Sequence, residues 1–188
     1  MATRKDEILT AALALADEAG LEAVTMRAVA ARVGITPMAL YRHVADKEAL
    51  LDGVLETVVT GIALPGPELA WDERLTALAL AVRDSGRRHP TALGLAFSRP
   101  GDTPAVRRLV DVIHGALADA GVPARERSRL ERMISTFVVG FVVSEVSGRF
   151  PRDIESFLAR EYRADLADVL GLVRAVAVRD DGSAAGAR

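Results

Sequence analysis

The stretch from Thr25 to Lys47, TMRAVAARVGITPMALYRHVADK, constrains the fold more tightly than any other part of the chain. Thr25 is a helix-capping residue, and Met26, Val29, Ala30 and Val33 follow it at helical spacing on one side. Gly34 stands where that helix must stop and where a positive φ suits the backbone. Thr36 is a second cap, with Pro37 at the first helical position, where a missing N–H costs nothing. Leu40 and Val44 continue the inward face; Met38, Ala39, Tyr41, Arg42 and His43 are left pointing outward or sideways. Asp46 and Lys47 then restart a helix. This punctuation predicts two short helices around a tight turn, the shape that lays its second helix in a DNA major groove.

With its flanks, the segment resembles the N-terminal domain of the tetracycline-repressor (TetR) family of bacterial transcription regulators. The matching runs are ILTAALALADEAGLEAVTMRAVAARVGI, from Ile8 to Ile35, and LYRHVADKEALL, from Leu40 to Leu51. The resemblance implies an all-α protein with a three-helix, helix-turn-helix DNA-binding domain over residues 1–46. A connecting helix would follow over 47–62, and a helical effector-binding and dimerisation domain over 63–178. The polar tail 179–188 is expected to be disordered.

At 188 residues the chain can bury a sizeable core, and its alanine- and leucine-rich composition favours helices. It has no cysteine, which excludes disulfides, thiolate metal sites and cysteine nucleophiles. No 18-residue uncharged apolar run occurs, and MATRKDE lacks the apolar core of a signal peptide. A cytoplasmic protein without a membrane partner is the expectation. His43, His89 and His114 show no metal spacing, and no phosphate-cradling loop or nucleophile elbow is present. We therefore expect neither catalysis nor a cofactor.

The net charge of −2 sits awkwardly with DNA, and residues 1–60 carry six basic against nine acidic residues. Distribution matters more than the sum, because Arg27, Arg42 and Lys47 lie in or beside the two short helices. Few phosphate contacts should give a salt slope shallower than about −10.

Each residue of the motif has a scaffolding reading beside the DNA one. Thr25 is first a cap, with a phosphate contact as an addition. Arg27 is an exposed guanidinium suited to phosphate or a guanine edge. Thr36, Pro37, Met38 and Ala39 form the leading end expected against base edges, where apolar contact with thymine methyls would serve. The resemblance makes Tyr41 a backbone-contacting aromatic and His43 a phosphate-contacting residue; core packing and a plain surface histidine are the alternatives. At Lys47, amides, helix dipole and ammonium can converge on one phosphate. Arg4 and Lys5 are read as an arm before the first helix, either touching DNA or frayed.

Beyond the turn-rich LPGPE (Leu64 to Glu68) everything reads as helix, with starts near Asp72, at Thr103-Pro104, at Pro123 and at Ile154. The run Phe137 to Val143 looks strand-like alone, yet Leu130, Met133, Ile134, Phe137, Val138, Phe141 and Val142 keep helical rhythm. Thr136, Gly140, Ser144 and Gly148 recur every four residues, a stripe of small side chains that lets another helix approach. The resemblance places this stripe, with Phe157, Leu166 and Leu170, at a homodimer interface; close packing inside one protomer is the other reading. A dimer would read a palindromic operator in double-stranded DNA. The resemblance also implies a small apolar or amphipathic effector. Trp71, Leu78, Val82, Phe97, Ile113, His114, Leu117, Met133 and Phe137 are candidates for its cavity, ordinary core being the first reading of each one taken alone. The function expected is that of a ligand-released repressor, the alternative being a constitutive regulator whose second domain serves dimerisation or a protein partner.

Overall fold

The structure is a computed structural model and describes residues 3–98, 103–150 and 155–185. All regular structure among them is helical: α1 (Arg4–Ala19), α2 (Met26–Val33), α3 (Pro37–Leu40), α4 (Lys47–Thr60), α5 (Trp71–Arg88), α6 (Pro90–Leu93), α7 (Pro104–Asp119), α8 (Ala124–Val146) and α9 (Glu155–Ala185). The 3₁₀ turns Leu21–Ala23 and Gly94–Phe97 complete it. Two compact units result, Met1–Ile62 with Ser85–Val106 and Ala63–Asp84 with Arg107–Arg188, so the division falls inside α5 and α7.

The first unit begins one turn earlier than the sequence reading placed it. The Thr3 hydroxyl accepts from the Asp6 amide at 3.2 Å while the Asp6 carboxylate accepts from the Thr3 amide at 2.7 Å, a reciprocal cap. Hydrogen bonding from Thr3, its amide foremost and then its side chain, holds the Asp6 carboxyl below the usual carboxylate range. Arg4 and Lys5 consequently lie in the first turn of α1 rather than on a preceding arm, and Arg4 pairs with Glu7 at 2.5 Å. Ile8, Leu9, Ala12 and Ala16 form the buried stripe of α1, which packs on α2, α4 and α6. Gly53 allows the α1–α4 approach, because a Cβ there would run into the Leu9 side chain. From α4, Leu50, Leu51, Val54, Leu55, Val58 and Val59 turn inward. Each fully buried aliphatic side chain contributes roughly 1.5–3 kcal/mol.

Residues 85–106, read from sequence as part of the second domain, group by contact with this first unit. Ala92, Leu93, Leu95 and Ala105 are buried in it. His89, just before Pro90, reaches Asp17 of α1 through Nδ1 at 2.8 Å. Glu56 of α4 accepts the Ala105 amide at 2.9 Å, satisfying a first-turn N–H of α7 that has no partner within its own helix.

The second unit is held by four inward stripes: Leu75, Leu78, Ala79 and Val82 of α5; Ile113, Ala116 and Leu117 of α7; Leu130, Ile134, Val138 and Val142 of α8; Leu158, Tyr162, Leu166, Leu170 and Val173 of α9. The strand-like run is helical, as its rhythm predicts, and Val138 and Val142 are the members that face the core. Polar groups are buried here too. Arg83 meets Glu145 through two hydrogen bonds, Nε to Oε2 at 2.8 Å and an Nη to Oε1 at 2.5 Å. The same guanidinium lies 5.5 Å from the Tyr162 ring centre, and the Tyr162 hydroxyl donates to the Ala79 carbonyl at 2.8 Å. Burial drives the Tyr162 hydroxyl well above the ordinary tyrosine range, and Glu145 reinforces it against the opposing pull of Arg83. Phe137, Phe141 and Phe150 continue the cluster, with Phe141 4.8 Å and Phe137 6.0 Å from the Tyr162 ring. A second, largely buried guanidinium, Arg74, pairs with Asp119. Among the described residues no helix is long and apolar enough to cross a membrane.

Candidate nucleic-acid interface

The helix-turn-helix is assembled from three short-range caps. The Thr25 hydroxyl accepts from the Ala28 amide at 3.1 Å, that of Thr36 from Ala39 at 3.2 Å, and the Asp46 carboxylate from Ala49 at 2.8 Å. Each closes one N–H that the first turn of a helix leaves open. Between α2 and α3, Gly34 adopts φ +73°, a left-handed position that residues with a Cβ rarely take, and the Ile35 amide returns to the Ala30 carbonyl at 2.9 Å. α3 proper is a single turn. Its winding carries on through Val44, whose amide reaches the Leu40 carbonyl at 3.1 Å.

Leu40 and Val44 are buried beneath that turn and anchor it to Val29 and Ala30 in the core of the unit. The opposite side is open. Thr25, Arg27, Thr36, Pro37, Met38, Tyr41, Arg42 and His43 are exposed, while Ala39 and Lys47 are half-buried. Met38 is 73% exposed and Tyr41 50%, large values for side chains that water disfavours. All ten residues read from sequence as interface candidates therefore share one short segment, in or beside α3 or at the starts of α2 and α4.

The cations on this segment differ from those around it. Among the described residues Arg27, Arg42 and Lys47 have no carboxylate partner, whereas Arg32 on the far end of α2 is held by Glu18 through two bonds of 2.6 and 2.5 Å. That fork keeps the Glu18 carboxyl below its ordinary range and the Arg32 guanidinium above its own, the hydrogen bond being the first cause of both. Lys47 opens α4 directly after the Asp46 cap, beside amides at the positive end of the helix dipole. An open aromatic, cations without a carboxylate partner and a helix start in one short segment offer charge, hydrogen-bond donors and a ring to a polyanion.

The comparisons with known proteins agree with this geometry. The family model described as "Bacterial regulatory proteins, tetR family" matches residues 8–54, and "Tetracyclin repressor-like, C-terminal domain" matches residues 75–164. The chain belongs to the TetR family. An HTH-type transcriptional regulator of Saccharopolyspora erythraea is 31% identical over 169 residues, covering 87% of this chain and 71% of the relative. Among solved structures, BioQ of Mycobacterium smegmatis is 26% identical with a TM-score of 0.80, covering 93% of this chain and 99% of that one. A BioQ structure with its double-stranded DNA operator matches at a TM-score of 0.78. The Streptomyces coelicolor TetR-family protein ActR, in complex with actinorhodin, shares the fold at a TM-score of 0.80 and 21% identity, covering 94% and 99% of the two chains. This TetR-family chain is thus a DNA-binding transcription regulator and not an enzyme.

The other candidate residues of the regulator fall in several environments. Leu78, Val82, Ile113 and Leu117 are core; Trp71, His114 and Phe137 are half-buried; Met133 is 41% exposed on α8, and Phe97's side chain lies outside the described residues. In the small-residue stripe Thr136 is exposed and Gly140 and Ser144 are half-buried. Gly148 is not on the helix at all: α8 ends at Val146, and Gly148 turns the chain at φ +73° with its amide on the Glu145 carbonyl at 3.2 Å. Leu166 and Leu170 are buried within the protomer, while Phe157 is exposed with Arg160 over its ring. Sequence reading missed the Arg83–Glu145–Tyr162 network. Its one advance signal was an arginine set directly after Val82, at the edge of the apolar stripe of α5. Among the described residues no cluster of His, Cys, Asp or Glu is placed to hold a metal ion.

Proposed function

We propose that this regulator is a homodimeric repressor that leaves a palindromic operator when a small apolar or amphipathic effector binds its second unit. The observation that carries the reading is one short segment in which Arg27, Tyr41 and Arg42 are exposed and Lys47 half-buried, the three cations having no carboxylate partner. BioQ, similar over nearly its whole length, is solved with its DNA operator, which supports a duplex as the partner of that face. A one-turn recognition helix reads few base pairs, so two copies about 34–36 Å apart are needed for a specific site. ActR, alike in fold, is solved with actinorhodin, which supports a small organic effector. Release then follows from linkage: an effector that binds the DNA-incompetent arrangement more tightly shifts the population toward it.

Fluorescence anisotropy with duplexes from upstream of the protein's own gene tests the first half. Specific binding that collapses in a Tyr41→Ala/Lys47→Ala variant is expected; undiminished binding by the variant would overturn the assignment of the face. A thermal-shift screen with lipophilic cations, antibiotics and acyl-CoA-like compounds tests the second. Compounds that raise Tm and also release DNA are expected, and stabilisation without release would leave the regulator constitutive.

A further inference from the structure

We propose that the first unit carries a binding site of its own, a cleft that takes a small monocarboxylate with an apolar body. The cleft has a volume of about 270 Å³ and lies where α1, the end of α4 and the end of α5 meet. Every residue that lines it belongs to the first unit, and none is among the effector candidates of the second. Sites for drug-sized ligands run from roughly 300 to 1,000 Å³, so this one suits a fragment-sized molecule.

Its walls differ in chemistry. Leu13 of α1 and the buried Val58 of α4 make the apolar side. The polar side comes from the last turn of α5 and the residue after it: Ser85, then Arg88 and His89. The His89 ring is held by the Asp17 carboxylate, 2.8 Å from Nδ1, which leaves Nε2 as the ring nitrogen available to a ligand. Arg88 already has an interaction within the protein, but a guanidinium carries five N–H donors and one partner does not exhaust them. A planar fork of donors beside an aliphatic wall fits a carboxylate with a hydrocarbon body. Gly61, which caps α4 beside the cleft, brings no side chain to fill it.

The surroundings also limit the ligand's charge. Both α4 and α5 end here, and the last carbonyls of a helix carry partial negative charge. The Ile62 amide turns to the Val59 carbonyl at 3.2 Å, so the Val58 carbonyl goes without its usual helical donor. With Asp17 behind His89, a second negative charge on the ligand would be repelled. A single carboxylate is therefore favoured over a phosphate.

The test uses the full-length protein, labelled at its isoleucine, leucine and valine methyl groups, with sodium benzoate as the probe. Benzamide keeps the shape without the charge, and inorganic phosphate keeps charge without the apolar body. Benzoate is expected to move the Leu13 and Val58 methyl resonances and to raise Tm as it saturates. Benzamide, without the charge-assisted bonds, should bind at least about tenfold more weakly. Arg88 is exposed, so Arg88→Gln should keep the wild-type Tm while reducing benzoate to the level of benzamide. Leu13→Phe fills the cleft and should abolish binding of both, with helix content by circular dichroism unchanged. Undiminished benzoate binding in Arg88→Gln, phosphate competing as well as benzoate, or still Leu13 and Val58 resonances would each overturn the proposal. Shifts confined to Ile113 and Leu117 would overturn it too, while supporting an effector site in the second unit.

Discussion

Two arginines of the second unit contrast with those of the recognition segment. In the helix-turn-helix, Arg27 and Arg42 are exposed and without a carboxylate partner, and only Arg32 and Arg4, away from the recognition turn, are paired. In the second unit Arg83 and Arg74 are buried, each answered by a carboxylate from another helix. A buried guanidinium without its counter-charge is costly, so those pairings are a condition of folding. An exposed one costs little and is left for a partner outside the protomer. The arginine's surroundings, rather than its presence, mark Arg83 and Arg74 as scaffold charges.

The largest effect should come from breaking the scaffold side. Glu145→Ala strands Arg83 in the core and is expected to cost about 3–5 kcal/mol. For a chain of this size each kcal/mol lowers Tm by roughly 2–4 °C, which calorimetry will resolve. An unchanged Tm would erase the contrast between the units. Next comes Tyr41→Ala/Lys47→Ala on the recognition side, expected to weaken operator affinity by about 2–4 kcal/mol in anisotropy, as loss of charged and aromatic contacts at an interface does. Its Tm should hold, because neither side chain belongs to the core. A matching fall in Tm would show the face to be scaffold after all.

Thr36→Ala lies between the two classes. It removes the cap on α3 and should cost about 1 kcal/mol of stability by chemical denaturation. Its loss of affinity should exceed that of an equally destabilising change elsewhere. The smallest effect is a pH dependence. Tyr162 titrates above the ordinary tyrosine range in the folded protein, so its contribution is complete below about pH 10 and is lost as pH climbs past that value. Tyr162→Phe should flatten the alkaline decline of Tm, while costing about 1 kcal/mol at neutral pH through the lost bond to the Ala79 carbonyl.

What the sequence made legible follows the range of each interaction. Thr25, Gly34, Thr36, Pro37 and Asp46 act within four residues of themselves, and every cap and turn expected there is present. The Phe137 to Val143 run was readable because its rhythm extends back to Leu130. The bond from Tyr162 to Ala79 spans 83 residues and the Arg83–Glu145 pair 62, and no local pattern announces either. The same limit applies to 85–106: its signals, Pro90 and a few alanines and leucines, state that it is helical and buried but not which core it joins, and it groups by contact with the first unit while the C-terminal family model runs through it. At Gly148 the four-residue spacing misled, since glycine at a helix end serves to stop the helix and not to smooth its side.

Because the caps and the buried Leu40 and Val44 hold α3 while Met38 stands 73% exposed, that codon is free to drift. A gene duplicate could thus acquire a new address on the chromosome by a single-nucleotide change at that position, with little effect on folding.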